Sequence, residues 1–157
     1  MINIYRDNGK VDIDIIFKAE EIISHVFPSN YTDLVTKYDA LRLENNIFDF
    51  TNVYGEKDER DVNFLSFKTD HIDGDIISNQ ENVSDISNFG YKNIVLFAIC
   101  ANGDYICFDY RHDAMTKKPK IVLVCHDEFV DHDDGTSSMV INHVADSFED
   151  FIDMLHT

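Results

Sequence analysis

The spacing of hydrophobic residues in the first forty positions predicts two short amphipathic helices. The first covers residues 14–26, and its apolar stripe is formed by Ile15, Ala19, Ile22 and Val26. Asp12 or Asp14 can cap its N-terminus, and Phe27-Pro28 ends it, because the residue before a proline disfavours helix. Pro28 suits the first turn of the second helix, where no N–H is required. The apolar face of that helix is predicted to hold Tyr31, Leu34, Val35 and Tyr38.

After residue 46 the hydrophobic spacing changes to the patterns of strands. Two strands are predicted around residues 47–53 and 62–67, and the charged run 56–61 between them is predicted to be a solvated turn. Residues 81–89 suit a short helix. Further strands are predicted at 94–100, 105–110, 120–125 and 139–144, with an acidic loop at 126–135.

A final helical pattern follows Asp146. Ser147 can cap this helix, and the face that packs on the sheet is formed by Phe148, Phe151, Ile152 and Leu155. The element order predicts an α+β fold with N-terminal helices, a central, mostly antiparallel sheet, and a C-terminal helix packed on the sheet. At this length, one domain over residues 1–157 is expected.

The segment Asn102-Gly103 separates two apolar runs and predicts a tight hairpin with these two residues at its centre. In that register Leu96 faces Asp109, and Asp104 and Asp109 lie on opposite faces of the strand. The two carboxylates are therefore poorly placed to act together as an acid and a base. Because a buried carboxylate is costly without a partner, Asp109 is expected to bind backbone groups or Arg111.

Charge is the strongest feature of the composition. Thirteen basic and thirty acidic residues give a net charge of −17. Such a field repels nucleic acid and anionic membranes, so neither is expected as a partner, whereas a basic protein would be attracted. Solubility alone would also explain the charge. The absence of a long apolar run or a signal-like N-terminus predicts a soluble, cytoplasmic protein.

The sequence offers few groups suited to catalysis or metal binding. Residues 126–134 combine carboxylates and imidazoles, but counting from Asp131 puts Asn142 where a calcium loop needs a bidentate glutamate. Ser147 beside Asp146 and His143 is explained by a helix cap. The three cysteines lie in apolar stretches without metal-binding spacing. No enzyme activity, metal or cofactor is therefore predicted.

Several motifs together resemble the SUKH superfamily, which includes the fungal cell-wall-assembly regulator and bacterial immunity proteins. The most specific pieces are GDYxCxD at residues 103–109 and ADSFxxF at residues 145–151. The residues that carry the resemblance as structural motif positions are Pro28, Tyr31, Gly103, Asp104, Tyr105, Asp109, Asp146, Ser147, Phe148 and Phe151. One departure is Asp39-Ala40-Leu41, which stands where the family usually has an Asn-Gly-Gly turn.

The resemblance implies a non-catalytic protein that binds and neutralises a cognate toxin, often a nuclease. The expected partner is a basic toxin domain, and the acidic balance agrees with it. Two alternatives are an intracellular scaffold or regulatory interaction module and, less favoured, a metal-dependent enzyme that uses residues 126–134. The predicted partner-binding residues are Asp127, Glu128, Asp131, Asp133, Asp134, Glu56, Asp58 and Glu59.

Overall fold

The computed structural model describes residues 2–69 and 71–157. The helices in this part of the chain are α1 (Ile13–Ile23), α2 (Ser29–Lys37), α3 (Ile76–Ser84) and α4 (Phe148–Met154). The strands are β1 (Ile4–Arg6), β2 (Arg42–Leu43), β3 (Ile47–Thr51), β4 (Lys57–Asp61), β5 (Asn63–Phe64), β6 (Ile94–Ile99), β7 (Tyr105–Asp109), β8 (Lys120–Asp131) and β9 (Ser137–Ala145). This architecture confirms the predicted α+β class. No helix within these residues has the length and apolarity needed to cross a membrane.

Helix α1 begins at the predicted cap but buries a different face from the one expected. The Asp12 carboxylate accepts a hydrogen bond from the Asp14 N–H, while Ile16 and Ala19 are the buried residues. Ile15, Ile22 and Val26 of the predicted stripe are exposed, so that prediction is wrong except at Ala19. Apolar residues occupy more than one face of this helix, and spacing alone does not identify the face that packs. The helix ends at Ser24, which adopts a left-handed conformation.

Helix α2 follows Pro28 as expected and anchors an aromatic core. Tyr31 and Val35 are buried, and the Tyr31 ring packs against Phe27, Phe97, Phe108 and Phe148 at centroid separations of 5.1–5.7 Å. Such tilted and edge-on arrangements are favourable for aromatic rings. The core therefore lies between helices α2 and α4 and one face of the main sheet.

The connection after α2 is where Asp39-Ala40-Leu41 replaces the Asn-Gly-Gly turn that is usual in the family the sequence resembles. Ala40 adopts φ +49°, the left-handed region where a glycine is less strained. The buried Asp39 carboxylate accepts hydrogen bonds from the Ser66 hydroxyl at 2.5 Å and from the Phe67 N–H at 2.9 Å. These bonds tie the end of α2 to the segment after β5. Asp39 therefore supplies a fixed anchor at this corner.

The main sheet has the antiparallel order β5-β6-β7-β8-β9, and its central hairpin has a different register from the predicted one. Ile99 pairs with Tyr105, Leu96 with Cys107 and Ile94 with Asp109, with an irregularity between Leu96 and Ala98. The expected Leu96–Asp109 pair is therefore wrong. The connection spans residues 100–104, because the Cys100 N–H bonds the Asp104 carbonyl instead of closing a two-residue turn.

The charged run at 56–61 was predicted to be a turn, and this prediction is wrong, because most of the run forms strand β4. β4 pairs with β3 in a two-stranded ribbon, in which Phe48 opposes Arg60 and Phe50 opposes Asp58. Phe48 and Phe50 are buried, and the Phe48 ring lies 5.3 Å from that of Phe151 on α4. One face of the ribbon is therefore fixed to the core, which lets the charged residues of β4 form a strand without being buried.

Three further boundaries differ from the predicted ones. The helix expected at 81–89 is α3, which begins earlier because Asp75 caps it, and a separate turn of 3-10 helix covers Ile86–Asn88. The strand expected at 62–67 is only the two-residue β5. β1 and β2 were not predicted; they are three and two residues long and carry no clear alternation. The C-terminal helix and its cap at Ser147 are confirmed, since the Ser147 hydroxyl accepts the Asp150 N–H.

Candidate protein-binding surface

Strand β8 carries most of the predicted binding residues, and it extends well beyond its predicted end. The expected loop 126–135 is wrong for residues 126–131, which belong to β8; the turn is confined to residues 132–135. Cys125 opposes Val140 while Phe129 opposes the neighbouring Met139, so His126 to Glu128 form a bulge with no partner on β9. A bulge redirects side chains away from a regular ladder. We call residues 126–137 the acidic arm.

The acids of this arm fall into two groups. Asp127 and Glu128 lie in the bulge, and Asp131, Asp133 and Asp134 lie at the tip. His126 and Asp131 are five residues apart on an extended strand, on the order of 15 Å. The tip carboxylates are exposed, and Asp131 accepts a hydrogen bond from the Ser137 hydroxyl at 2.5 Å. The Thr136 hydroxyl and N–H both donate to Asp134, and these bonds lower the pKa of that carboxyl.

The second predicted segment lies on the β3–β4 ribbon. Glu56 is in its connecting turn, and Asp58 and Glu59 are exposed on β4. The Glu59 N–H donates to the Asp58 carboxylate, and Arg60 lies 2.9 Å from the same carboxylate; together these hydrogen bonds lower the pKa of Asp58. Arg60 also donates to the Glu59 carbonyl. At Glu59 the backbone N–H and carbonyl are therefore bound by neighbouring side chains of the same strand.

The buried Asp104 joins the ribbon to the bulge of the acidic arm. Oδ2 of Asp104 accepts from Arg60 Nε at 3.2 Å and from Asn102 at 3.0 Å. Oδ1 accepts from the His126 N–H at 3.1 Å and lies 2.6 Å from His126 Nδ1. Burial alone would raise the pKa of Asp104, but the hydrogen bonds from His126, Asn102 and Arg60 outweigh it and lower the pKa. Asp104 thus connects strand β4 to the bulge of the acidic arm.

Within residues 2–69 and 71–157, two clusters have metal-ligand chemistry. Ligand atoms of Asp104, His126 and Asp127 lie within 4.8 Å of one another. Both oxygens of Asp104 already accept hydrogen bonds, and the Arg60 guanidinium is one of the donors, which would repel a cation. The donor set of this cluster is thus that of an internal ion-pair network.

The second cluster is an exposed one on the ribbon, formed by Asp49, Glu59 and His156. Asp49 and Glu59 are directly opposed across the strands, an arrangement that is unfavourable for like charges. His156 Nε2 lies 3.0 Å from Asp49, and the hydrogen bond raises the pKa of His156. The outer face of the ribbon therefore concentrates negative charge beyond the three predicted acids.

A group of exposed apolar residues beside these acids was not predicted as part of the site. Val53, Tyr54, Phe89, Phe129 and Val130 are between 41% and 65% exposed. Four of them line a concave site, which we call the socket, with a volume of about 360 Å³. The socket is lined by Val53, Tyr54, Tyr91, Arg111, Phe129, Val130, Val140 and Ile141. The sequence signal for it is Phe129-Val130, two large apolar residues inside an acidic run.

Asp109 and Arg111 complete the site at the rim of the main sheet. Asp109 accepts two hydrogen bonds of 2.9 Å from the Arg111 guanidinium, which confirms the predicted pairing. Burial raises the pKa of Asp109, but the bonds from Arg111 outweigh this effect and lower it. The Arg111 guanidinium lies 5.4 Å from the centre of the Tyr91 ring. Asp109 thus orients the arginine that lines the socket.

The remaining motif residues have structural positions. Gly103 adopts φ +98°, and a Cβ there would lie 3.2 Å from the His126 ring, so glycine is required at this turn. Phe148 and Phe151 are buried in the core, Tyr105 is half-buried on β7, and Asp146 is exposed beside His143. The three cysteine thiols are free and buried, and burial raises their pKa values, to about 12 for Cys125. Such thiols are poor nucleophiles.

The protein thus has an α+β fold in which the motif residues of the sequence occupy structural positions. The SUKH_6 family model, described as SMI1-KNR4 cell-wall, matches residues 13–152, and the chain belongs to this family. This match confirms the resemblance seen in the sequence motifs. A search of the curated proteins finds no match to the chain.

Proposed function

We propose that the protein is a non-catalytic immunity protein that binds and neutralises a basic toxin domain, of the nuclease class. The observation that carries this proposal is the concentration of carboxylates on β4 and on the acidic arm of a chain with net charge −17. A nuclease needs basic residues to hold phosphate, and an acidic surface is complementary to them. Neutralisation would occur by occupying the basic surface, with no turnover.

The proposal is tested with a basic nuclease toxin domain, sought first in the gene next to that of this protein. Co-expression of the protein is expected to protect cells from that domain. The purified pair is expected to form a one-to-one complex, with an association rate that falls as salt rises. A toxin that kills equally in the presence of the protein would contradict the proposal. A scaffold or regulatory module, the alternative role, would give no protection and would bind a host protein instead.

A matched pair of charge variants locates the surface. Asp131→Lys, Asp133→Lys and Asp134→Lys together are expected to slow association at least about tenfold at low salt. The control combines Glu21→Lys, Asp33→Lys and Asp153→Lys, which are also exposed, on α1, α2 and α4, and change the net charge by the same amount. Equal slowing in the two triple variants would contradict a role for the arm and leave only a general effect of net charge.

A further inference from the structure

We propose that the socket binds an apolar side chain that a basic partner presents between lysine or arginine residues. This inference rests on the proposed function for the basic character of the partner and adds the contact that gives the complex its lifetime. Protein interfaces commonly combine a central apolar or aromatic anchor with a charged rim. The socket lies between the turn of the β3–β4 ribbon and the acidic arm. It therefore places an apolar binding site beside charged residues.

The walls of the socket are fixed by hydrogen bonds to β9. The Val53 N–H donates to the buried Asn142 side chain at 2.9 Å, which holds the ribbon turn beside Ile141. On another side, the Tyr91 hydroxyl donates to the Met139 carbonyl at 2.6 Å. Because both walls are attached to the same strand, the concave site exists before a partner arrives. Binding in a preformed site loses little conformational entropy.

Phe89 contacts Phe129 of the socket lining and ends the turn of 3-10 helix over Ile86–Asn88. Phe89 adopts φ +66°, a region that is unfavourable for a bulky residue, and its carbonyl accepts the Met139 N–H. Its ring, 41% exposed, lies 4.8 Å from the ring of Phe129, in an edge-to-face arrangement. Phe89 therefore supports the exposed ring of Phe129 at the edge of the socket.

The charges around the socket favour a partner with apolar and basic groups together. Arg111, the one cation among the described residues that line the socket, is paired with Asp109 through two hydrogen bonds and lies over the Tyr91 ring. Its charge is thus locally neutralised. The chain adjoining the apolar residues contributes Glu56 after Tyr54, Glu128 before Phe129 and Asp131 after Val130. The chain segments next to the apolar residues therefore carry negative charge.

These contacts assign different kinetic roles to the two parts of the surface. Exposed carboxylates act over a Debye length of about 10 Å and mainly change the association rate. A desolvated apolar anchor acts only at contact and mainly changes the dissociation rate. Loss of the socket is therefore expected to shorten the lifetime of a complex while leaving its salt dependence unchanged.

A peptide probe tests the socket without any toxin. The probe is the capped peptide Lys-Lys-Trp-Lys-Lys, and the reference peptide has Ser in place of Trp. The protein contains no tryptophan, so the fluorescence of the probe reports binding directly. We expect saturable binding of the Trp peptide, at least about tenfold weaker binding of the Ser peptide, and amide NMR shifts that cluster at the socket.

Three variants make the test decisive. Phe129→Ser and Tyr54→Ser are each expected to weaken binding of the Trp peptide at least about fivefold. Ile15→Ser is the control, because Ile15 is 46% exposed, close to the 50% of Phe129, but lies on α1. Binding of the Trp peptide by Ile15→Ser is expected to stay within twofold of the wild-type value. Circular dichroism confirms that each variant is folded. Unchanged binding in both socket variants, or equal loss in Ile15→Ser, would overturn the inference.

The inference and the proposed function fail in different ways. Protection from the neighbouring toxin together with an inert socket would refute the inference alone. An active socket without protection would refute the immunity role and retain the socket as a binding site for basic, apolar segments.

Discussion

The inner half of strand β8, residues 121–125, and its outer half, residues 126–131, both pair with β9, but only the inner half also pairs with β7. Residues Ile121–Cys125 are at most 3% exposed, because β7 pairs with this half as far as Val124 and β9 covers its opposite edge. Residues 126–131 pair with β9 only from Phe129 onward and have no β7 beside them. The comparison shows that strand pairing does not require burial. A strand leaves the core where its second neighbour ends.

The largest expected effect comes from the buried half. Leu123→Ala removes a fully buried side chain and leaves a cavity, so we expect a loss of about 3 kcal/mol in the free energy of unfolding. Val130→Ala, in the exposed half of the same strand, is expected to cost less than about 1 kcal/mol. Urea denaturation measures both. Similar losses would mean that the outer half is as tightly packed as the inner one.

The junction between the halves gives the next effect. Asp104→Asn weakens charge-assisted hydrogen bonds to Arg60 and His126, and we expect a loss of about 2 kcal/mol at neutral pH. Asp133→Asn, at the exposed tip of the acidic arm, is the control and is expected to change stability by less than about 0.5 kcal/mol. Urea denaturation at pH 7 compares them.

The pH dependence of the Asp104 effect has a defined sign. The pKa of Asp104 is lower in the folded protein than in the unfolded chain, so its ionised form stabilises the fold above the unfolded value of about 3.9. This stability is lost as the pH falls below that value. The difference between wild type and Asp104→Asn is therefore expected to be constant above about pH 5 and to shrink below pH 4. A difference that grows on acidification would contradict the network.

The smallest effect on stability is expected from the socket. Phe129→Ser exposes less new apolar surface than a core substitution because half of the ring is already in solvent, and we expect a loss below about 1 kcal/mol. The same variant is expected to weaken binding of the Trp peptide strongly. Thermal denaturation measures the loss of stability, and peptide titration measures the loss of binding. A large loss of stability with unchanged peptide binding would place Phe129 with the inner half of β8, as a packing residue.

The sequence predicted the elements that local chemistry specifies. Pro28 begins α2, Ser147 caps α4, and the pairing of Asp109 with Arg111 follows from their spacing and the cost of burying a free carboxylate. It failed where two choices are locally equivalent. Helix α1 has apolar residues on more than one face, and only packing decided that Ile16 and not Ile15 is buried.

The candidate site shows the same division. The acids of residues 56–61 and 127–134 were visible as charge, but their separation into ribbon, bulge and tip was not. The bulge exists because Cys125 and Phe129 oppose adjacent residues of β9, a long-range register that no local pattern contains. Tyr54 and Phe129 are 75 positions apart in the chain, so their meeting at the socket also required the tertiary fold.

By itself, the sequence determined the α+β class, the family, the caps of α1 and α4 and the strongly acidic charge, because each depends on composition or on residues close together in the chain. The tertiary structure alone decided which faces are buried, where β8 leaves the core, and that an aromatic socket lies beside the acids. Those features depend on contacts between distant segments, and the register and cover that create them are set by packing the whole chain at once.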